Sequence, residues 1–165
     1  MKDPDVHPAD ELVVPEGYDP DEALKLSNQL CFPLYATSKE LVRRYKPFLD
    51  ELDLTYTQYI TMMVLWERDQ VSVKELGEAV RLDSGTLTPL LKKLEAHGLI
   101  TRERSQQDER QLVVELTDAG RELKRRAGVV PLLIGPCVGL DAQEVVTLRA
   151  LLDKVQSGLA CSWEY

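Results

Sequence analysis

Apolar positions recur along most of the chain at the three-to-four residue spacing of amphipathic helices, and strict alternation is confined to short segments past the midpoint. Asp19 can cap, and Pro20 open, a first helix predicted to run to Tyr45 or Lys46. Its stripe takes Leu24, Cys31, Leu34, Tyr35, Leu41, Val42 and Tyr45, close to a seven-residue repeat that calls for a partner helix. Lys39, Glu40, Arg43 and Arg44 lie largely off it. Pro33 falls inside this helix and predicts a kink beside Cys31, at a cost of about 3 kcal/mol. A short helical turn is expected from Pro47 to Leu52. Thr55 then caps a helix through Arg68 that is apolar on most sides and so central.

The next stretch reads as a compact module. Val71 to Val73 predicts a short strand, and Ser72 with Glu75 has the spacing of a capping box. That helix ends near Arg81, and Asp83 or Ser84 caps a second one that Gly98 stops after His97. Helix, tight turn, helix is the helix-turn-helix pattern. Segments 99–105 and 110–117 are β-prone and joined by the polar turn QQDE, which makes a hairpin wing. Thr117 caps a basic amphipathic helix broken by Pro131 and by Gly135 with Pro136. Asp141 and Glu144 form a capping box for a last helix over 142–160. The fold class is therefore mainly α, a winged helix-turn-helix in the order α-α-α-β-α-α-β-β-α-α.

Composition changes this picture little, except in charge. A chain of 165 residues suits one domain, and no apolar run reaches the roughly 18 residues that span a bilayer. The amino terminus lacks the basic start and apolar stretch of a signal peptide, which predicts a cytoplasmic protein with reduced cysteines. The net charge of −8 argues against nucleic acid only until it is located. Residues 1–22 carry one Lys and eight Asp or Glu, net −7, and the rest carries 19 basic and 20 acidic residues, net −1. Local fields decide binding. Residues 1–18, with three prolines and no helical period, read as an acidic arm, disordered or loosely docked.

On a helical wheel, residues 83–97 place Leu87, Leu90, Leu91 and Leu94 on one face and Gly85, Thr88, Pro89, Lys92 and Ala96 on the other. A small, hydroxylic and basic face suits a DNA major groove, and it equally describes a solvated face of a core helix. The candidate DNA contacts on this helix are Ser84, Gly85, Thr86, Thr88, Pro89, Lys92 and Lys93. The wing adds Arg102, Arg104 and Arg110, with Asp108 able to hold the Arg110 guanidinium for insertion into a minor groove. His97 belongs with the helix dipole rather than with a metal.

Three cysteines (Cys31, Cys137, Cys161) and two histidines show no metal-ligand spacing, so neither a structural zinc nor a cofactor is expected. Cys31 is either a small core hydrophobe or a redox group. As a helix-interior residue it has no helix N-terminus or neighbouring cation to activate it, which leaves hydroxyl donors such as Tyr35, Tyr45, Tyr56 and Tyr59.

NQLCFPLYA (28–36), LTYTQYITMMVLWE (54–67) and LDSGTLTPLLKKLEAHGLITRERSQQDER (82–110) together resemble the organic hydroperoxide resistance regulators, a branch of the MarR family of winged-helix repressors. The resemblance covers about residues 24–155 and omits the acidic arm and the ACSWEY tail. It implies a homodimer joined through helices in 19–54 and 118–165, with a DNA-binding domain at 55–117, that leaves operator DNA when an organic hydroperoxide oxidises Cys31. It also implies that Tyr45 and Tyr56 of the other subunit bond that sulfur, and that Cys137 resolves the sulfenic acid. Cys161 has no counterpart. Three other readings stay open: a repressor released by a non-covalent phenolic or drug-like ligand, a thiol peroxidase, and an interaction module that has lost DNA binding. The peroxidase ranks low because the basic residues gather on a groove-sized helix and a wing.

Overall fold

The structure is a computed structural model describing residues 13–104 and 111–161. The first part of the acidic arm, the wing turn with Asp108 and Arg110, and the last four residues lie outside the described residues. The chain divides after Glu40 into two units.

In the N-terminal unit, Asp19 caps α1 (Pro20–Ala23), its carboxylate accepting from the Asp21 amide at 2.9 Å. The predicted long helix does not follow. The chain makes a single 3-10 turn at Leu26–Asn28, becomes extended at Gln29, and starts α2 (Cys31–Asp50) afresh. Pro33 supplies the reason. A helix running through it would drive the proline ring into the Gln29 carbonyl, so the helix restarts where Pro33 falls in the first turn and its missing N–H costs no bond. The expected kink is thus a break. Cys31 is the first residue of a helix, not an interior one.

Pro47 does not end α2 either. The helix continues through it to Asp50, where Leu49 is buried and the Leu54 amide donates to the Leu49 carbonyl at 3.0 Å. Burial of that last turn outweighs the one lost donor, and Lys46 pairs with Asp50 one turn on. Residues 47–50 of the separate turn expected over 47–52 are therefore part of α2.

The second unit, from Leu41, is built around α3 (Tyr56–Glu67). Thr55 and Gln58 close a capping box at its start, and Tyr59, Met62 and Leu65 are buried. β1 (Val71–Ser72) leads into α4 (Val73–Val80) through the Ser72–Glu75 capping box. Arg81 takes the left-handed conformation that turns the chain into α5 (Ser84–Ala96), capped by Asp83. β2 (Ile100–Arg104) and β3 (Leu112–Leu116) complete an antiparallel sheet in the order β1-β3-β2, with Val71 opposite Val114 and Ile100 opposite Leu116.

Thr117 caps α6 (Asp118–Ala127), and α7 (Val130–Val138) follows. The break lies at Gly128 and Val129, ahead of the expected Pro131, which instead occupies the first turn of α7; α7 then runs on through Gly135 and Pro136. α8 (Ala142–Cys161) begins at the Asp141–Glu144 capping box. Among the described residues no single helix is long and apolar enough to cross a membrane.

One glycine governs how α6 meets the wing. A Cβ on Gly120 would stand 2.1 Å from the Leu99 carbonyl oxygen, and the Gly120 carbonyl accepts from Trp66 Nε1 at 2.8 Å. Gly120→Ala is therefore expected to lower the unfolding free energy by about 1–3 kcal/mol through overpacking. Gly135→Ala, whose methyl meets nothing within 4 Å, should be neutral or slightly stabilising. Chemical denaturation midpoints of the two variants check the contrast.

Candidate DNA interface and redox centre

The recognition helix has the two-faced character its wheel predicts. Leu87, Leu90, Leu91 and Leu94 are all buried, and Ser84, Gly85, Thr86, Thr88, Pro89, Lys92 and Lys93 are all exposed. Its start is tightly built. Asp83 accepts from the Thr86 amide at 2.9 Å and from the Thr86 hydroxyl at 2.8 Å, and these bonds hold its carboxyl below the usual carboxylate range. Thr86 therefore spends its hydroxyl proton on the cap, which leaves Ser84 and Thr88 as the hydroxyl donors of the outer face. Gly85 keeps room for that cap, since a Cβ there would lie 3.0 Å from Asp83 Oδ1. A concavity of about 250 Å³ separates the outer face of α5 from the start of α3, lined by Thr55, Thr57, Thr86, Pro89 and Lys93.

On the wing, Arg104 is exposed, whereas Arg102 is only 17% exposed and bonded to Glu95 of the recognition helix. Asp108 and Arg110 lie outside the described residues. His97 ends α5 with Nδ1 3.6 Å from a carboxylate oxygen of Asp53. Among the described residues no group of three or more His, Cys, Asp or Glu side chains could hold a metal ion.

In the N-terminal unit Cys31 is exposed and heads α2. The helix N-terminus that the sequence reading held to be missing is present, and the first-turn amides of α2 have no helical partners. Tyr35 stands one turn along the same face, and the Lys39 ammonium lies over its ring, 5.8 Å from the centroid.

Tyr45, Tyr56 and Tyr59 gather in the second unit. Tyr45 meets Tyr56 edge-to-face at 5.0 Å and Tyr59 at 6.1 Å, and Tyr59 meets Trp66 at 6.2 Å. Burial first, and Tyr56 second, push the Tyr45 phenol up; Tyr59 is raised by burial, then by Tyr45 and Tyr56. Both therefore stay protonated hydrogen-bond donors at neutral pH. Cys137 is exposed on α7, where its thiol lies 3.7 Å from the Leu133 carbonyl.

A family model described as transcriptional regulator SarA/Rot matches residues 43–127. The organic hydroperoxide resistance transcriptional regulator of Bacillus subtilis (strain 168) is 49% identical over 128 residues, covering 78% of this chain and 85% of that protein. This chain belongs to the organic hydroperoxide resistance branch of the MarR family. Among solved structures, AbfR of Staphylococcus epidermidis is 34% identical. Reduced AbfR bound to DNA superposes with a TM-score of 0.71 over 85% of this chain and 98% of AbfR. Overoxidised AbfR bound to DNA gives 0.69 over 83% and 97%, and disulfide-formed AbfR gives 0.57 over 85% and 93%. These relatives are transcriptional regulators, a DNA-binding class rather than an enzymatic one.

For this MarR-family regulator, sequence reasoning missed the contacts that join its elements. Asp69 accepts from the Leu116 amide at 3.0 Å and pairs with Arg121, whose other nitrogen reaches Glu115 at 3.4 Å. Lys124 donates to the Trp66 carbonyl at 2.8 Å, and Arg126 to the Glu51 carbonyl at 2.7 Å. The basic run in α6 was the available signal, since cations suit helix C-termini.

The raised phenols give a pH prediction. An unfolded tyrosine ionises near about 10, so the unfolded chain sheds these protons first. Stability is then complete below about pH 10 and falls as pH rises through the folded values. Alkaline titration of phenolate absorbance should show late-ionising tyrosines, and Tyr45→Phe should remove one of them and lessen the alkaline loss of stability.

Proposed function

We propose that the chain is a homodimeric repressor that holds operator DNA while Cys31 is reduced and leaves it once an organic hydroperoxide has oxidised Cys31. Residues 55–117 bind DNA in this reading, and helices within 19–54 and 118–165 join the subunits. The observation that carries it is an exposed cysteine at a helix start, in a chain 49% identical to an organic hydroperoxide resistance regulator.

The dimer is supported by apolar surface that one chain leaves uncovered. Among the described residues no buried core residue precedes Leu49, and Leu24, Leu26, Leu30 and Phe32 are exposed in the N-terminal unit. α8 contributes no buried side chain among its described residues, although Val146, Leu148, Leu151 and Leu159 lie along it. Exposed apolar area on this scale marks an interaction surface.

The chemistry balances as follows. The Cys31 thiolate attacks one peroxide oxygen, the O–O bond breaks, and the alkoxide leaves as an alcohol after taking a proton, with Cys31 now a sulfenic acid. The Cys137 thiol, supplied by the other subunit, attacks that sulfur, forming a disulfide and expelling water. Tyr45 and Tyr56, also from the other subunit, supply hydroxyl donors to the sulfur, with Tyr35 beside it on α2.

A disulfide needs Cα atoms about 4.4–6.8 Å apart, so forming it across the interface moves helices. Paired recognition helices must meet half-sites about 34–36 Å apart, and a shift of a few ångströms loses contacts. AbfR is known both overoxidised on DNA and in a disulfide form, so that relative reaches more than one oxidised state.

A mobility shift tests this reading. Reduced wild type should shift an operator duplex, cumene hydroperoxide should abolish the shift, and a dithiol should restore it. Cys31→Ser should bind and no longer release. Cys137→Ser should lose the covalent dimer band on a non-reducing gel. Peroxide release of Cys31→Ser, or wild type that stays bound once Cys31 is a sulfenic acid or disulfide, would overturn it.

A further inference from the structure

We propose that Arg102 is a positioning residue rather than a DNA contact: paired with Glu95, it fixes the angle between the recognition helix and the wing. The proposal rests on the DNA-binding reading above and departs from the expectation that every wing arginine touches nucleic acid.

Two donors of one guanidinium converge on one carboxylate oxygen. Arg102 Nε lies 3.1 Å from Glu95 Oε2, and Nη2 reaches the same oxygen. The two side chains are 17% and 38% exposed, so the pair is shielded more than an ordinary surface ion pair. Arg104, on the same strand and the same side of it, is exposed.

Position explains what the pair does. Glu95 sits in the last turn of α5 and Arg102 near the middle of β2, and the link between these elements is the turn at Gly98, with φ +70°. The Leu99 amide bonds the Leu94 carbonyl at 3.0 Å, and the Thr117 hydroxyl bonds the Gly98 carbonyl at 2.6 Å, so the near end of the turn is held by backbone carbonyls. The Glu95–Arg102 pair adds a side-chain tie one step further out, where a small rotation of the hairpin would be magnified at its tip.

Charge supports the same reading. A carboxylate on the recognition helix repels phosphate, and pairing neutralises it. Arg102, already neutralised, has little charge left to displace counterions from DNA. A free phosphate-binding arginine contributes about 0.9 to the slope of log affinity against log salt.

The test uses full-length protein and a duplex that wild type selects from a random-sequence pool, with Kd measured across a potassium chloride series and folding checked by thermal melts. Glu95→Gln keeps the shape and removes the charge. A brace predicts binding about five- to tenfold weaker, whereas an arginine restrained from DNA by Glu95 would bind as tightly or more tightly once freed. Arg102→Gln should weaken binding with the salt slope unchanged, and the double exchange of Glu95→Arg with Arg102→Glu should recover most of the loss. Unchanged or tighter binding by Glu95→Gln, or a slope reduced by about 0.9 per subunit in Arg102→Gln, overturns the proposal. A wild type that selects no duplex removes the DNA-binding reading and this inference with it, which is a different result from either.

Discussion

The structure depends on the burial of one face of one helix. Leu87, Leu90, Leu91 and Leu94 pack into the core around α3, and four leucines at that spacing leave α5 only one rotation about its axis. Once that rotation is set, Ser84, Thr88, Pro89 and Lys92 must face outward. The composition of the outer face then follows from what it meets. A residue with a long apolar side chain would add exposed hydrophobic area, and one with a carboxylate would repel phosphate. The acid that does occur near it, Glu95, is held by Arg102. Asp83, at the helix start, is engaged by the Thr86 amide and hydroxyl.

This part was legible in the sequence because it is local. Capping boxes at Ser72–Glu75 and Asp141–Glu144, the caps at Thr55, Asp83 and Thr117, and the left-handed stop at Gly98 are all satisfied within a few residues of chain. The prolines were legible as disruptions but not in their outcome. Pro33 breaks a helix and starts the next, Pro47 is absorbed because Leu49 and Leu54 hold the chain beyond it, and Pro131 opens α7 rather than ending α6. A proline specifies that one bond is absent. Whether the chain breaks, bends or carries on depends on how much burial lies on either side of it.

What could not be read was partnership over distance. Periodicity assigns a residue to a face without saying what meets that face. Arg102 was assigned to the DNA side of the wing by its strand, and its partner is seven residues back on the helix. Arg121, Lys124 and Arg126 belong to a helix that read only as basic and amphipathic, and each reaches a partner beyond it: Asp69, the Trp66 carbonyl and the Glu51 carbonyl. Cys31 was identified as the chemically interesting thiol, yet it was placed inside a helix because the break ahead of Pro33 depends on the chain on either side of it.

Those long-range ties give the proposed switch a route. Lys124 and Arg126 bond carbonyls at the ends of α3 and α2, so α6 holds both helix ends through charged donors, the stronger kind of hydrogen bond. α6 also begins where β3 ends, with Gly120 against the Leu99 carbonyl and Arg121 on Asp69. A displacement of α7, which follows α6 after Gly128 and carries Cys137, therefore pulls on an element tied to the central helix and to the root of the wing. Close-packed interiors respond to such a pull by shifting as a body, since side chains that interdigitate at crystal-like density have little room to deform separately. In the proposed switch, a cross-link at Cys137 would in this way turn a recognition helix it does not touch.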